Sequence, residues 1–244
     1  MRLFIFILVI IAIVMLAWFT GAWRTLKTVW LIIEVKPYEQ AGEGDNLQSV
    51  LVLGDSTGYG TGAGSGDNSI AGLIGADYPS VSITNNSKNG RTIGEALIEI
   101  RTLPLEPKYT LMLLQIGGND ILQKRNLDIV RSELTELYTE AKKRSESVVM
   151  ISSGNVGAAA AYTGTKKAGE YERITRQFRQ MFIEVAEASD VTFVDLFEEP
   201  ENDVFLREPK TYLAIDGLHP SAAGYAYWYK TLAPQLKKVL KEEN

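Results

Sequence analysis

The sequence predicts an α/β fold: a five-stranded parallel sheet with helices on both faces, preceded by an N-terminal transmembrane helix. Three observations carry this expectation. Short apolar, β-prone runs alternate with longer stretches of helical period. The uncharged run Leu3 to Trp23 approaches the roughly 20 residues that cross a bilayer as helix. The residues able to do chemistry fall at the carboxyl ends of the apolar runs, where ligands bind in such sheets.

In chain order, the apolar run comes first. Trp18 and Trp23 sit near its end and Arg24 and Lys27 follow it, as at a membrane interface. A small-residue "TGA" at Thr20 to Ala22 resembles a cleavage site, but the run is long for an export signal, so an uncleaved anchor is expected. "TVWLIIEV", Thr28 to Val35, is too short to span; it continues the helix, lies along the interface or packs on the domain. Residues 1–35 are therefore read as anchor and flanking helix. Residues 36–48, "KPYEQAGEGDNLQ", carry turn and breaker residues and read as a linker, and 49–244 as the folded domain.

Within that domain the five strand runs are "SVLVLG", "SVSITNNS", "YTLMLLQIG", "SVVMISSG" and "VTFVDLF". The clearest helices are "NLDIVRSELTELYTEAKKR", "EYERITRQFRQMFIEVAEA" and "SAAGYAYWYKTLAPQLKKVLKEE", with apolar residues recurring at three and four. The aromatics of the last, Tyr225, Tyr227, Trp228 and Tyr229, would suit a lipid groove, but Tyr225 and Tyr229 lie one helical turn apart and favour core packing. "GNVGAAAAYTGTKKAG" either borders a site or merely connects.

Composition narrows the function. A chain of 244 residues, 45% hydrophobic, can bury one good core. Thirty acidic against 25 basic residues, with no basic stripe, argue against a nucleic-acid partner. Without cysteine there is no disulfide or thiolate nucleophile, and a single histidine excludes multi-histidine zinc sites.

The glycine-rich stretch "GDSTGYGTGAGSGD", Gly54 to Asp67, admits several readings. A phosphate loop needs Lys-Ser/Thr after its second glycine, which is missing here. Gly58, Gly60 and Ala63 fit a dinucleotide fingerprint, but "TNNS" stands where its acidic residue belongs. Gly54 to Gly58 also fit the G-x-S-x-G nucleophile elbow, yet Ser56 follows the domain's first strand and no HGGG-type loop exists. What remains is a serine at a strand's carboxyl end, which alone is a turn or cap residue as readily as a nucleophile.

Its partners decide between them. A serine hydroxyl needs a base, and only His219 is available, in "AIDGLHPSAAG". Asp216 lies three residues before it with Gly217 between, and Pro220 begins the last helix; Asp195 in "FVDLF" is a competing acid. Asn119 in "QIGGND" offers an amide donor to a developing oxyanion, with Asp120 beside it as a turn or cap residue. Gly90 in "NNSKNGRT" offers a backbone N–H at the end of the second strand.

Taken together, the blocks "GDST", Gly90, "GGND" and "DGLHP" resemble, in order, those of the SGNH or GDSL-type hydrolases, from Val50 to the C-terminus. Thr57 departs from the leucine usual after the serine, and the second block is only a glycine in a polar turn. The resemblance implies a flavodoxin-like three-layer α/β/α sandwich and an esterase or lipase-like activity on an acyl or acetyl ester. It implies Ser56, His219 and Asp216 as a catalytic triad, an oxyanion hole of Ser56, Gly90 and Asn119, and no metal or cofactor. An acyltransferase using the same acyl-enzyme and a silent lipid- or glycan-binding module are the alternatives; oligomeric state stays open. Residues Arg24, Lys27 and Lys36 after the apolar run, against Arg2 before it, favour a cytoplasmic domain, whereas family precedent for such a segment favours export. The extracytoplasmic side is expected.

Overall fold

A computed structural model describes residues 5–7, 10–11, 15, 22–42 and 48–241. Most of the run Leu3 to Trp23 expected to span a membrane lies outside them. Among the described residues no helix is long and apolar enough to cross a membrane.

Helix α1 (Ala22–Glu34) comes first. The domain then alternates β1 (Ser49–Gly54), α2 (Ser56–Tyr59), α3 (Ile70–Asp77), β2 (Ser82–Asn85), α4 (Ile93–Ile100) and β3 (Tyr109–Gln115). It continues with α5 (Gly118–Leu122), α6 (Leu127–Arg144), β4 (Ser145–Ile151), α7 (Lys166–Ala188), β5 (Thr192–Val194), α8 (Val204–Arg207), α9 (Pro209–Tyr212) and α10 (Ala222–Val239). The sheet order is β2-β1-β3-β4-β5, all parallel, the flavodoxin-like order whose direction of winding reverses between β1 and β3.

Both faces of the sheet are covered, which is why its strands read as nearly continuous apolar runs. Leu51, Leu53, Met112, Leu114 and Met150 pack with α4, α6 and α7 on one face. Val50, Val52, Leu111, Leu113 and Ile151 pack with α3 and α10 on the other. Alternation of period two sends neighbouring residues into separate cores. Helix α6 buries Val130, Leu134, Leu137, Tyr138 and Ala141, and Asn126 caps it by accepting from the N–H groups of Asp128 and Ile129. Tyr225, Trp228 and Tyr229 of α10 are buried, as core packing requires.

The stretch read as a linker is, where described, stitched to the sheet. Gln40 forms an antiparallel bridge with Ile83 of the edge strand β2. Its side-chain amide donates to the carbonyls of Val81, Pro79 and Tyr78 at 2.7, 3.0 and 3.1 Å. Residues 36–42 thus cover an edge that would otherwise expose unpaired backbone groups. Residues 43–47 lie outside the described chain.

Candidate active site

The switch point of the sheet gathers the residues that the four blocks contain. Register pairs Gly54 with Gln115, so the chain leaves β1 and β3 side by side, Ser56 after one and Asn119 after the other. Asp55 caps α2: its carboxylate accepts from the Thr57 N–H and the Thr57 hydroxyl, each at 2.8 Å. That bond accounts for threonine at the position after the serine. Burial pushes the Asp55 carboxyl up, opposed by the Thr57 and Gly118 bonds and the charge of His219. Ser56 becomes the first residue of α2, and its N–H is one of the orphan donors of a helix start.

His219 and Asp216 arrive on the turn before α10. The Ser56 Oγ lies 2.9 Å from His219 Nε2, and His219 Nδ1 lies 2.6 Å from Asp216 Oδ2. Asp216 Oδ1 accepts the N–H groups of Leu218 and His219 at 3.0 and 3.1 Å. Burial drives the Asp216 carboxyl up, but the His219 bond and charge and these two N–H groups win and hold it at about 2. An ionised Asp216 can only accept, so the imidazole proton sits on Nδ1 and the Nε2 lone pair faces the serine hydroxyl. Asp195, the competing acid, leaves the sheet after β5 and takes Arg179 at 2.5 and 2.8 Å; it belongs to a surface ion pair.

The glycine-rich stretch does more than stay open. At Gly62, φ is +93° and an added Cβ would meet the Pro220 carbonyl oxygen at 2.5 Å and the His219 Cβ at 3.1 Å. The loop that follows the serine is therefore the surface against which the histidine turn is seated. Gly90, also left-handed with φ +82°, has open space about its Cα, and its N–H finds no acceptor among the described residues. Asn119 Nδ2 donates one hydrogen to the Arg91 carbonyl at 3.1 Å, which leaves its second N–H for a ligand. Ser56, Gly90, Asn119 and His219 all line one cavity of about 400 Å³, within the range of small-molecule sites.

Three features of the site were signalled in the sequence weakly or not at all. Asp120 is fully buried, accepts from the Ile93 N–H at 3.1 Å and from Arg125 at 2.7 Å, and so ties the start of α4, beyond Gly90, to the helix bearing Asn119. Burial pushes its carboxyl up to about 6 against the pull of Arg125. The rest of the cavity wall is apolar, including Leu122, Val156, Phe205, Leu218 and Trp228. The loop after β4 therefore borders the site, and Trp228 serves both core and cavity. Finally Thr28 and Ile32 of α1 line the same cavity, although α1 was expected to flank an anchor.

Known proteins share this fold. The chain is 24% identical over 200 residues to Esterase TesA of Pseudomonas aeruginosa, covering 79% of this chain and 90% of that protein. The crystal structure of TesA superposes with a TM-score of 0.61 at 22% identity, over 79% of this chain and all of the other. A catalytic mutant of Axe2, an acetylxylan esterase from Geobacillus stearothermophilus, gives 0.58 at 20% identity over 83% and 97%. Solved catalytic mutants of Axe2 replace a serine, an aspartate and a histidine, the last two three positions apart. Residues 52–227 match the family described as GDSL-like Lipase/Acylhydrolase, and the chain belongs to that family.

Proposed function

We propose that the protein is a serine ester hydrolase. The carrying observation is the unbroken line from Asp216 through His219 to Ser56, at 2.6 and 2.9 Å, opening on an apolar cavity. Ser56 Oγ attacks the ester carbonyl carbon while its proton passes to His219 Nε2. Asp216 holds the ring in the required tautomer and stabilises the imidazolium. The N–H groups of Ser56 and Gly90 and the free N–H of Asn119 receive the oxyanion. Collapse of the tetrahedral intermediate expels the alcohol, which takes the proton from His219. Water, deprotonated by the same nitrogen, then releases the acid. Every role is filled by this chain's own side chains and backbone.

The apolar wall favours an acyl group longer than acetyl, held by burial of its methylenes at about 0.8 kcal/mol each. The names esterase for TesA and acetylxylan esterase for Axe2 support an ester substrate, and the family's description as lipase/acylhydrolase admits a lipid-like one. Hydrolysis of p-nitrophenyl esters from acetate to octanoate, with acetylated xylan alongside, tests the reading. We expect turnover to rise from acetate toward the middle of the series; a folded protein that hydrolyses none of these would overturn the assignment.

The same domain works, in our reading, at a membrane surface on the extracytoplasmic side. The uncharged run before α1 supports this, as do the exposed Trp23, Leu26, Trp30 and Ile33 that make one stripe of α1. Full protection from protease added to intact spheroplasts would reverse the sidedness.

A further inference from the structure

Asp216 is served by four donors, and they come from two places. Three belong to its own turn: the N–H groups of Leu218 and His219 on Oδ1 and the imidazole Nδ1–H on Oδ2. The fourth is the hydroxyl of Thr28, which donates to Oδ2 at 3.0 Å from 188 positions earlier in the chain. A helical threonine ordinarily returns its hydroxyl to the carbonyl four residues back, and the Arg24 carbonyl stands 3.2 Å away. The single hydroxyl proton serves one acceptor at a time, and a charged carboxylate is the stronger of the two. With Thr28 in place, all the lone-pair directions of the carboxylate are engaged, and its plane is fixed at both oxygens.

Helix α1 is docked for this task. Leu31, and Val35 just past the helix end, are buried. Arg24 donates to the Ala161 carbonyl at 2.9 Å and lies over the Tyr162 ring. One turn beyond Thr28 on the same face, Ile32 enters the lining of the cavity that Ser56 and His219 share. All of this lies before residue 52, where the match to the family begins.

We infer that α1 is a working wall of the active site, with Thr28 as a positioning residue for Asp216 and Ile32 as part of the surface that receives the acyl chain. The inference rests on the ester-hydrolase reading and deepens it. Thr28 acts through Asp216: by holding the carboxylate plane it aims the Nδ1–H bond, and through the ring it aims Nε2 at the serine. Ile32 acts directly, by shape, on substrates long enough to reach it.

The test uses the purified full-length chain with p-nitrophenyl acetate and octanoate. Thr28→Val, which keeps the shape and removes the donor, should lower kcat by about three- to tenfold, with KM for acetate moving less. Thr28→Ser should restore most of the loss, a rescue that general loosening of the helix would not give. Ile32→Trp should lower the ratio of octanoate to acetate kcat/KM by about fivefold or more, a size effect of the usual magnitude for a hydrophobic pocket. Wild-type kcat in Thr28→Val would overturn the positioning role, and an unaltered ratio in Ile32→Trp would overturn the wall. Fluorophosphonate labelling of the same wild-type preparation separates the two levels: failure to label refutes the hydrolase reading itself. Normal labelling together with indifferent α1 variants refutes only this inference.

Discussion

Asn119→Ala probes the oxyanion hole at the point where geometry and chemistry are most closely joined. The Asn119 amide has two hydrogens; one holds the Arg91 carbonyl at 3.1 Å, and the other faces the cavity where the carbonyl oxygen of a bound ester would become an oxyanion. Truncation removes that donor and also frees the backbone next to Gly90, a second donor. Loss of one such donor costs about a hundredfold to a thousandfold in kcat, or about 2.7–4 kcal/mol. The Gly90 segment keeps other ties, since buried Arg91 also pairs with Glu99 at 3.5 Å and donates to the Asn86 carbonyl, so the substrate site should survive. Steady-state kinetics on one p-nitrophenyl ester should therefore give a kcat lowered by about two to three orders of magnitude with KM changed only a few-fold. A variant with normal kcat and raised KM would show that Asn119 binds ground-state substrate, and would refute the reasoning.

Two further substitutions test how the site is held. Gly62→Ala places a Cβ at 2.5 Å from the Pro220 carbonyl oxygen on a backbone with φ +93°; it should cost about 2 kcal/mol or more of stability, measured by urea unfolding, and lower kcat by displacing His219. Asp203, the cap of α8, is held at about 6 by burial instead of 3.8, against its bond to the Phe205 N–H. The folded state then binds its proton more tightly than the unfolded chain does, so this group's contribution is most favourable below 3.8 and declines as pH rises through about 6. Asp203→Asn retains an acceptor for the cap and should stabilise the protein at about pH 8 by up to about 3 kcal/mol, with the gain gone below about pH 4. A gain that does not vary with pH would contradict the sign.

Much of this molecule was legible because its sequence is locally consistent. Strands buried on both faces give runs such as "SVLVLG" and "YTLMLLQIG" that few other contexts produce, and the two helical runs that open on Asn126 and Ser221 are helices capped by those residues, so the last helix starts after Pro220 and not on it. Ser56, Asn119 and Gly90 follow strand ends and Asp216 and His219 lie on the turn before the final helix, places where the fold exposes backbone donors and side chains together and that a sequence can mark.

What escaped the sequence depends on approach between distant segments. The apolar residues of α1 and its end point two ways, Leu31 and the following Val35 inward and Trp23, Leu26, Trp30 and Ile33 outward, so periodicity could not say that the inner face meets Asp216. Gly62 looked like one permissive glycine among many, because a sequence does not record that the Pro220 carbonyl will lie against it. Asp120 looked like a turn residue, and its brace to the Ile93 N–H needs two helices from different crossovers to meet. Asp195 follows a strand and reads as well as Asp216 in the sequence; in the fold it leaves the edge strand β5 and pairs with Arg179 at 2.5 Å, while Asp216 meets His219.

The central claim, that Ser56 is a nucleophile activated by His219, is tested most directly by intact-mass spectrometry of the full-length protein after treatment with a fluorophosphonate. We predict a single adduct per chain, carried by the peptide containing Ser56 and lost in both Ser56→Ala and His219→Ala. A folded wild-type protein that stays unlabelled, or one whose adduct persists in Ser56→Ala, would contradict it.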